Sequence, residues 1–130
     1  MRLFWICVGG GFGSGARYLL SGWMLERFGP AFPSGTLAVN LIGSFLLGAL
    51  MYLGTEAGML PPTLRLALTT GVMGGFTTYS TFSYETMRYL QDGLWALAML
   101  NVFITVLGCL VACIVGWAGA QWFVGVGTSV

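Results

Sequence analysis

The sequence predicts an all-α membrane protein, and three of its properties point to that fold class. Apolar residues make up 57% of the 130 residues, charged residues only 7%, and the mean hydropathy is +0.86. A soluble domain commonly carries charge on about a quarter of its residues, because it must cover its core with a solvated surface. Four long apolar stretches lie between the few charges, and each is long enough to cross a bilayer as a helix.

Each predicted transmembrane helix ends where charged residues meet proline or glycine. The bilayer core needs about 20 apolar residues in helical form, and proline and glycine mark helix ends. The four spans cover approximately residues 3–24, 36–55, 64–89 and 94–117. They occupy the chain as a single transmembrane domain, residues 1–130. Any function is therefore expected to lie within the membrane.

The few polar groups exclude several classes of function. A net charge of +1 without clustered basic residues argues against a nucleic-acid partner. Enzyme activity is not expected, because the chain has no His, only four carboxylates and no visible nucleophile–base pair. The three cysteines, Cys7, Cys109 and Cys113, fall in apolar stretches, which is more typical of packing than of metal binding.

The positive charges select no orientation in the membrane. Arg2 and Arg65 lie on one predicted side and Arg27 and Arg88 on the other, with Arg17 inside the first span. An excess of Lys and Arg in short loops ordinarily fixes the orientation of a helical bundle. Without that excess, two oppositely inserted copies can pair about an axis in the membrane plane, as inverted repeats do in transporters. A weak preference for one side, or an accessory factor, is the alternative.

The third span contains the sequence least suited to a continuous helix. Eight serine and threonine residues lie between positions 69 and 86, and the glycine pair 74–75 precedes two threonines. We predict that this helix is broken in mid-membrane between Gly74 and Thr77. Such a break is tolerated only inside protein or beside a polar cavity, and it exposes carbonyl and amide groups that bind ions. A packing kink satisfied by neighbouring hydroxyls is the alternative.

Other polar and aromatic residues extend this candidate ion site. Tyr79 and Phe82 share one helix face, and their positive ring edges suit a passing anion, although such pairs ordinarily pack in a core. Asn40 lies in an uncharged span and needs a hydrogen-bond partner. Arg17 and Glu85 can line a vestibule, pair with each other or extend to the interface.

Three segments together resemble the Fluc fluoride channels, also called the CrcB family, over essentially the whole chain. They are GGFGSGARY at residues 10–18, GTLAVNLIGSF at 35–45 and GGFTTYSTFSYE at 74–85. The resemblance implies a fluoride-selective ion channel that exports fluoride passively and reduces its toxicity in the cytoplasm. It also implies a multi-pass protein of the cell inner membrane, which forms an antiparallel dual-topology homodimer surrounded by lipid and has two fluoride pathways.

The resemblance further implies roles for individual residues. A structural sodium ion (Na+) at the dimer interface is held by the backbone carbonyls of Gly74 and Thr77 from each subunit. Arg17 belongs to an anion vestibule or has a structural role. The implied fluoride pathway consists of Asn40, Tyr79, Ser80, Thr81, Phe82, Ser83, Glu85, Thr105, Cys109 and Cys113.

The chain departs from the family pattern in the implied pathway. Position 79 is Tyr where the family usually has Phe. Counting without gaps, Asn101 replaces a polar aromatic, and Cys109 and Cys113 replace pore hydroxyls with weakly donating thiols. Thr105 can take over part of that lining.

Two other functions remain open on the sequence. A small dual-topology multidrug exporter coupled to protons also has four spans, but it needs a carboxylate deep in a span, whereas Glu85 lies toward the end of the third. The second alternative is a helical subunit that does not transport ions itself and only assembles with larger partners. Fluoride efflux from a dimer containing this chain alone would exclude it.

Overall fold

The computed structural model describes residues 1–127, which form four consecutive helical segments and contain no strand. The first segment is helix α1, Arg2–Phe28. The second is α2, Ser34–Met51, which continues into the π-helical turn Tyr52–Glu56. The third, residues 62–91, contains α3 Pro62–Leu66, the π-helical stretch Ala67–Met73, α4 Gly74–Phe76 and α5 Tyr79–Gln91. The fourth is α6, Trp95–Gly127.

Proline and glycine set the ends of these helices. Helix α1 ends where Gly29 adopts a φ of 76° and donates its N–H to the Leu25 carbonyl at 2.8 Å. Pro33 precedes α2, and Pro62 is the first residue of α3, where a missing N–H costs no bond within the helix. Gly93, with a φ of 72°, separates α5 from α6. A proline or a glycine with positive φ therefore lies in each connection between the helical segments.

Two of the four predicted spans are helices long and apolar enough to cross a membrane, judged by length and composition within residues 1–127. These are Ser34–Glu56 and Trp95–Gly125. Helix α1 carries Arg17 in its middle, and the third segment is divided into shorter helices, which explains why neither gives an equally clear signal. Helices α1 and α6 also run several residues beyond the predicted ends of their spans.

Glycine allows α1 to lie directly against the third segment. A Cβ on Gly13 would overlap the carbonyl oxygen of Val72, and one on Gly75 would overlap the backbone of Gly10. Membrane helices commonly associate through such small residues, because their backbones then approach closely. The third segment is therefore fixed against α1 in the part that precedes its interruption.

Helices α2 and α6 form the most extensive helix pair in the molecule. A Cβ on Gly48 would overlap the carbonyl of Cys113, and one on Gly116 would overlap the carbonyl of Phe45. Val39, which is 0% exposed, lies in the same core. Most large apolar side chains of α6 are instead exposed on the outside of the bundle, as expected for a surface that faces lipid or another chain.

The third segment is interrupted at Thr77 and Thr78, two residues later than the glycine pair. Gly74 and Gly75 are still helical, whereas Thr77 (φ −82°, ψ 160°) and Thr78 (φ −150°, ψ 116°) are extended. Of the stretch Gly74 to Thr77 in which the sequence predicts a break, only Thr77 is extended. Low helix propensity at the glycines does not decide the position, because the Asn40 side chain pairs with the extended backbone at Thr78.

Candidate functional site

Asn40 of α2 forms hydrogen bonds with the extended backbone of the interruption. Its amide nitrogen Nδ2 donates to the Thr78 carbonyl at 3.0 Å, and the Thr78 N–H donates to its Oδ1 at 2.7 Å. Asn40 is 8% exposed and Thr78 is 7% exposed, so both bonds are made in a buried place. One side chain thus replaces the two backbone hydrogen bonds that Thr78 would make within a helix.

Thr78 also forms the N-terminal cap of α5. Its Oγ1 accepts a hydrogen bond from the Thr81 N–H at 3.2 Å and donates to the Thr81 hydroxyl at 3.0 Å. The N-terminus of a helix carries a partial positive charge and unpaired N–H groups. Helix α5 therefore presents its electropositive end at the interruption.

Helix α1 covers the carbonyl groups on the other side of the interruption. Ser14 Oγ lies 3.5 Å from the Gly75 carbonyl oxygen, and Arg17 Nη1 donates to the Thr77 carbonyl at 3.3 Å. A guanidinium group complements the partial negative charge at a helix C-terminus. In the single chain, Arg17 therefore binds one of the two carbonyls that the family resemblance assigns to sodium.

A cavity of about 360 Å3, here called the inner cavity, lies beside the interruption. Its lining contains Asn40, Gly43, Ser44, Leu47, Thr69, Met73, Gly74, Thr77, Thr78, Tyr79, Phe82, Thr105, Val106 and Cys109. It brings together five of the ten pathway residues predicted from the sequence, and no charged residue lines it. An ion in this cavity meets only dipoles and ring edges.

A second cavity of about 850 Å3, here called the outer cavity, lies between α1, the turn before α2 and α5. Arg17, Thr81 and Glu85 line it, together with Arg88. Thr78 lines both cavities. The two cavities therefore adjoin at the interruption, with formal charges only on the outer side.

Glu85 is held by a residue that the sequence did not single out. Thr36 Oγ1 donates to Glu85 Oε1 at 2.6 Å, while Oε2 is buried without a hydrogen-bond partner in residues 1–127. Arg17 donates to a carbonyl rather than to this carboxylate, so the two do not form the ion pair considered above. The spacing of Thr36 and Asn40, one helical turn apart on α2, is a signal that would have identified Thr36.

The two aromatic residues lie in different environments. The rings of Tyr79 and Phe82 contact edge to face, with centroids 5.5 Å apart and an interplanar angle of 60°. Phe82 is 5% exposed, whereas Tyr79 is 77% exposed. Phe82 is thus a fixed part of the inner cavity, and Tyr79 borders it from the outside of the chain.

Three predicted pathway residues, Ser80, Ser83 and Cys113, line neither cavity. Ser83 donates to the Tyr79 carbonyl at 3.0 Å, and Ser80 Oγ lies 3.4 Å from Thr78 Oγ1. Cys113 lies where α2 approaches α6, since its carbonyl faces Gly48. Only Thr81 and Phe82 of the predicted stretch 80–83 therefore reach a cavity in the single chain.

Asn101 of α6 connects this helix to α5 through hydrogen bonds. It is 1% exposed, its Nδ2 donates to Thr86 Oγ1 at 3.0 Å, and its Oδ1 accepts from the Thr105 hydroxyl at 3.4 Å. Thr86 in turn donates to the Phe82 carbonyl at 2.8 Å. This chain of hydrogen bonds connects two walls of the inner cavity, Thr105 and Phe82, through a buried amide.

Comparison with known proteins gives one consistent result. The family model described as CrcB-like protein, Camphor Resistance (CrcB), matches residues 4–117. A protein named Fluoride-specific ion channel FluC from Anaeromyxobacter sp. (strain K) is 51% identical over 124 residues, covering 95% of this chain and 98% of the relative. A protein of the same name from Sorangium cellulosum (strain So ce56) is 53% identical over 120 residues, covering 92% and 94%. With this identity over nearly the full length, the chain belongs to the CrcB family.

Proposed function

We propose that this chain forms a fluoride-selective ion channel that lets fluoride leave the cell passively and so reduces its toxicity in the cytoplasm. The relatives that carry the name of a fluoride-specific channel support this function. The observation that carries it is the inner cavity, where an interrupted helix, the Asn40 amide and the Phe82 ring meet without any charged residue.

An uncharged cavity of this kind suits conduction of an anion. Amide N–H groups, the N-terminus of α5 and aromatic ring edges all present partial positive charge. A fixed cation would bind fluoride too strongly to release it, whereas dipoles allow entry and exit. Arg17 and Arg88 line the outer cavity instead, where the acids Glu85 and Asp92 balance their formal charge.

Passive flow is sufficient for export. Hydrogen fluoride enters a cell as the neutral acid and ionises inside, and a membrane potential that is negative inside drives the anion outward. The inner cavity contains no carboxylate to couple this flow to protons. For the same reason the structure does not favour the proton-coupled multidrug exporter, and Glu85, the acid nearest the interruption, is bonded to Thr36 beside the outer cavity.

We further propose the finer architecture that the sequence predicted: a multi-pass protein of the cell inner membrane, inserted in both orientations, that pairs as an antiparallel homodimer around a sodium ion. Each chain would offer two main-chain oxygens, that of Gly74 and the second lone pair of the Thr77 carbonyl, whose first lone pair accepts from Arg17. A hard cation takes about six oxygen ligands. A second copy would double the number, and open space around the Gly74 Cα leaves room for it. A bound sodium ion would hold the two chains together electrostatically.

This architecture has a direct test. The purified protein should have the mass of two chains in detergent by light scattering, and it should unfold at a lower temperature when sodium is replaced by a large organic cation. A single-chain mass would contradict the dimer. An unchanged unfolding temperature would contradict the sodium ion.

The proposed function is tested by ion efflux from liposomes that contain the purified protein. Fluoride should leave far faster than chloride. The change Phe82→Ile should slow fluoride efflux by up to about tenfold, since it removes a ring edge that is worth about 0.5–1.5 kcal/mol as a contact.

The matched control is Phe12→Ile on α1, where the phenylalanine is 74% exposed and lines neither cavity. This variant should conduct as the unmodified protein does. Liposomes that release no fluoride although the protein is folded would reject the proposed function.

A further inference from the structure

We propose that Ser44 of α2 is an anion-binding residue of the inner cavity and that it acts together with the Asn40 amide. This inference rests on the proposed function and adds to it a residue that the family resemblance does not assign. Its basis is the use of each serine and threonine hydroxyl proton around the inner cavity, because only an uncommitted donor can bind an anion without first losing another bond.

Four threonines line the inner cavity, and each gives its hydroxyl proton to an acceptor within the chain. Thr69 donates to the Arg65 carbonyl at 2.8 Å, and Thr77 donates to the Met73 carbonyl at 3.0 Å. Thr78 donates to the Thr81 hydroxyl at 3.0 Å.

The proton of the fourth threonine, Thr105, has a fixed direction. A carbonyl oxygen only accepts, so Thr86 must donate to Phe82, and its own oxygen must then accept from the Asn101 amide nitrogen. This sequence of bonds turns the Asn101 amide oxygen toward Thr105, which must donate to it. The threonines consequently present lone pairs rather than protons to the inner cavity.

Ser44 is different from these four residues. It is half-buried, lines the inner cavity, and makes no side-chain hydrogen bond to any residue in 1–127, not even to the carbonyl one turn earlier in α2. Its oxygen is not sealed off, since the buried side-chain oxygen without a partner in the same range is Glu85 Oε2. The Ser44 hydroxyl therefore faces the cavity with its proton available.

Ser44 and Asn40 lie one helical turn apart on the same face of α2. Asn40 uses one of its two amide protons for the Thr78 carbonyl, which leaves the second proton for a ligand. An anion between them would accept two hydrogen bonds from one wall of the inner cavity. Fluoride is a small, strong acceptor, so such a pair of donors would replace part of its hydration shell.

The test compares two variants of nearly equal shape at position 44. Ser44→Thr keeps the hydroxyl and Ser44→Val lacks it, so their difference isolates the donor. Fluoride efflux through Ser44→Val should be slower than through Ser44→Thr by about tenfold, the factor expected for one lost hydrogen bond to an anion. Both variants must elute at the size of the unmodified protein.

The matched control is Thr55→Val, which removes a hydroxyl outside both cavities whose proton is already used by the Met51 carbonyl. Its fluoride efflux should stay within about twofold of the unmodified protein, since no donor to the anion is lost. Equal efflux through the two position-44 variants, with normal efflux through the unmodified protein, would overturn the role of Ser44. Absence of efflux from the unmodified protein would instead reject the proposed function.

Discussion

Fluoride efflux should fall by about a thousandfold when Asn40 is replaced by Asp. An ionised carboxylate about 4 Å from a passing anion opposes it by about 4 kcal/mol at an effective dielectric constant near 20. The substitution also removes the Nδ2 donor that binds the Thr78 carbonyl, so the interruption loses one of its two supports. Efflux from liposomes, measured with a fluoride electrode at neutral pH, gives the result directly.

The control for Asn40→Asp is the same change of charge at a distant place. Gln91→Glu adds a carboxylate at the exposed end of α5, outside both cavities, and should leave efflux within about twofold, because exposed charges are screened. If both variants conduct as fast as the unmodified protein, Asn40 does not lie on the route of the ion. If both are equally slow, the effect is one of net charge and not of the site.

The second large effect concerns the packing of α2 on α6. Gly116→Ala should destabilise the protein by about 1–3 kcal/mol, the usual cost of forcing a methyl group into a packed interior. The new Cβ would overlap the Phe45 carbonyl oxygen, which belongs to the backbone and cannot turn aside. The midpoint of thermal unfolding in detergent, followed by circular dichroism, should fall.

Gly119→Ala on the same helix is the matched control. A Cβ there would meet nothing within 4 Å. Replacing glycine by alanine in a helix gains about 0.8–1 kcal/mol from backbone entropy alone, so this variant should be equally or more stable. Equal unfolding midpoints for the two variants would show that α2 and α6 separate easily, which would contradict the close contact of Gly116 with the Phe45 carbonyl.

Composition and spacing were enough to predict the helical segments, and five of the ten predicted pathway residues line the inner cavity. The lengths of the apolar stretches predicted four helical segments, and proline and glycine residues predicted the regions where those segments end. The residues Asn40, Tyr79, Phe82, Thr105 and Cys109, predicted from pattern and family resemblance, do surround one cavity. Pattern sufficed here because helical spacing fixes which residues share a face.

The position of the interruption could not be predicted in the same way. Helix propensity is a local property and indicated the whole stretch from Gly74 to Thr77. The extended backbone lies at Thr77 and Thr78, because Asn40, which is distant in sequence, pairs with Thr78. The roles of Thr36 and Ser44 could not be predicted from the sequence for a similar reason. Their importance depends on whether a neighbour uses their protons, which only the packed structure reveals.

The length of α6 makes the protein sensitive to the thickness of its bilayer. The apolar part, Trp95–Gly125, measures about 46 Å as a straight helix, whereas the hydrocarbon core is about 30 Å thick. Even at the upper end of the usual range of tilt, about 40°, its apolar length exceeds the core. Lipids with longer acyl chains would reduce this mismatch, so membrane composition would influence how steeply α6, and α2 packed on it, cross the membrane.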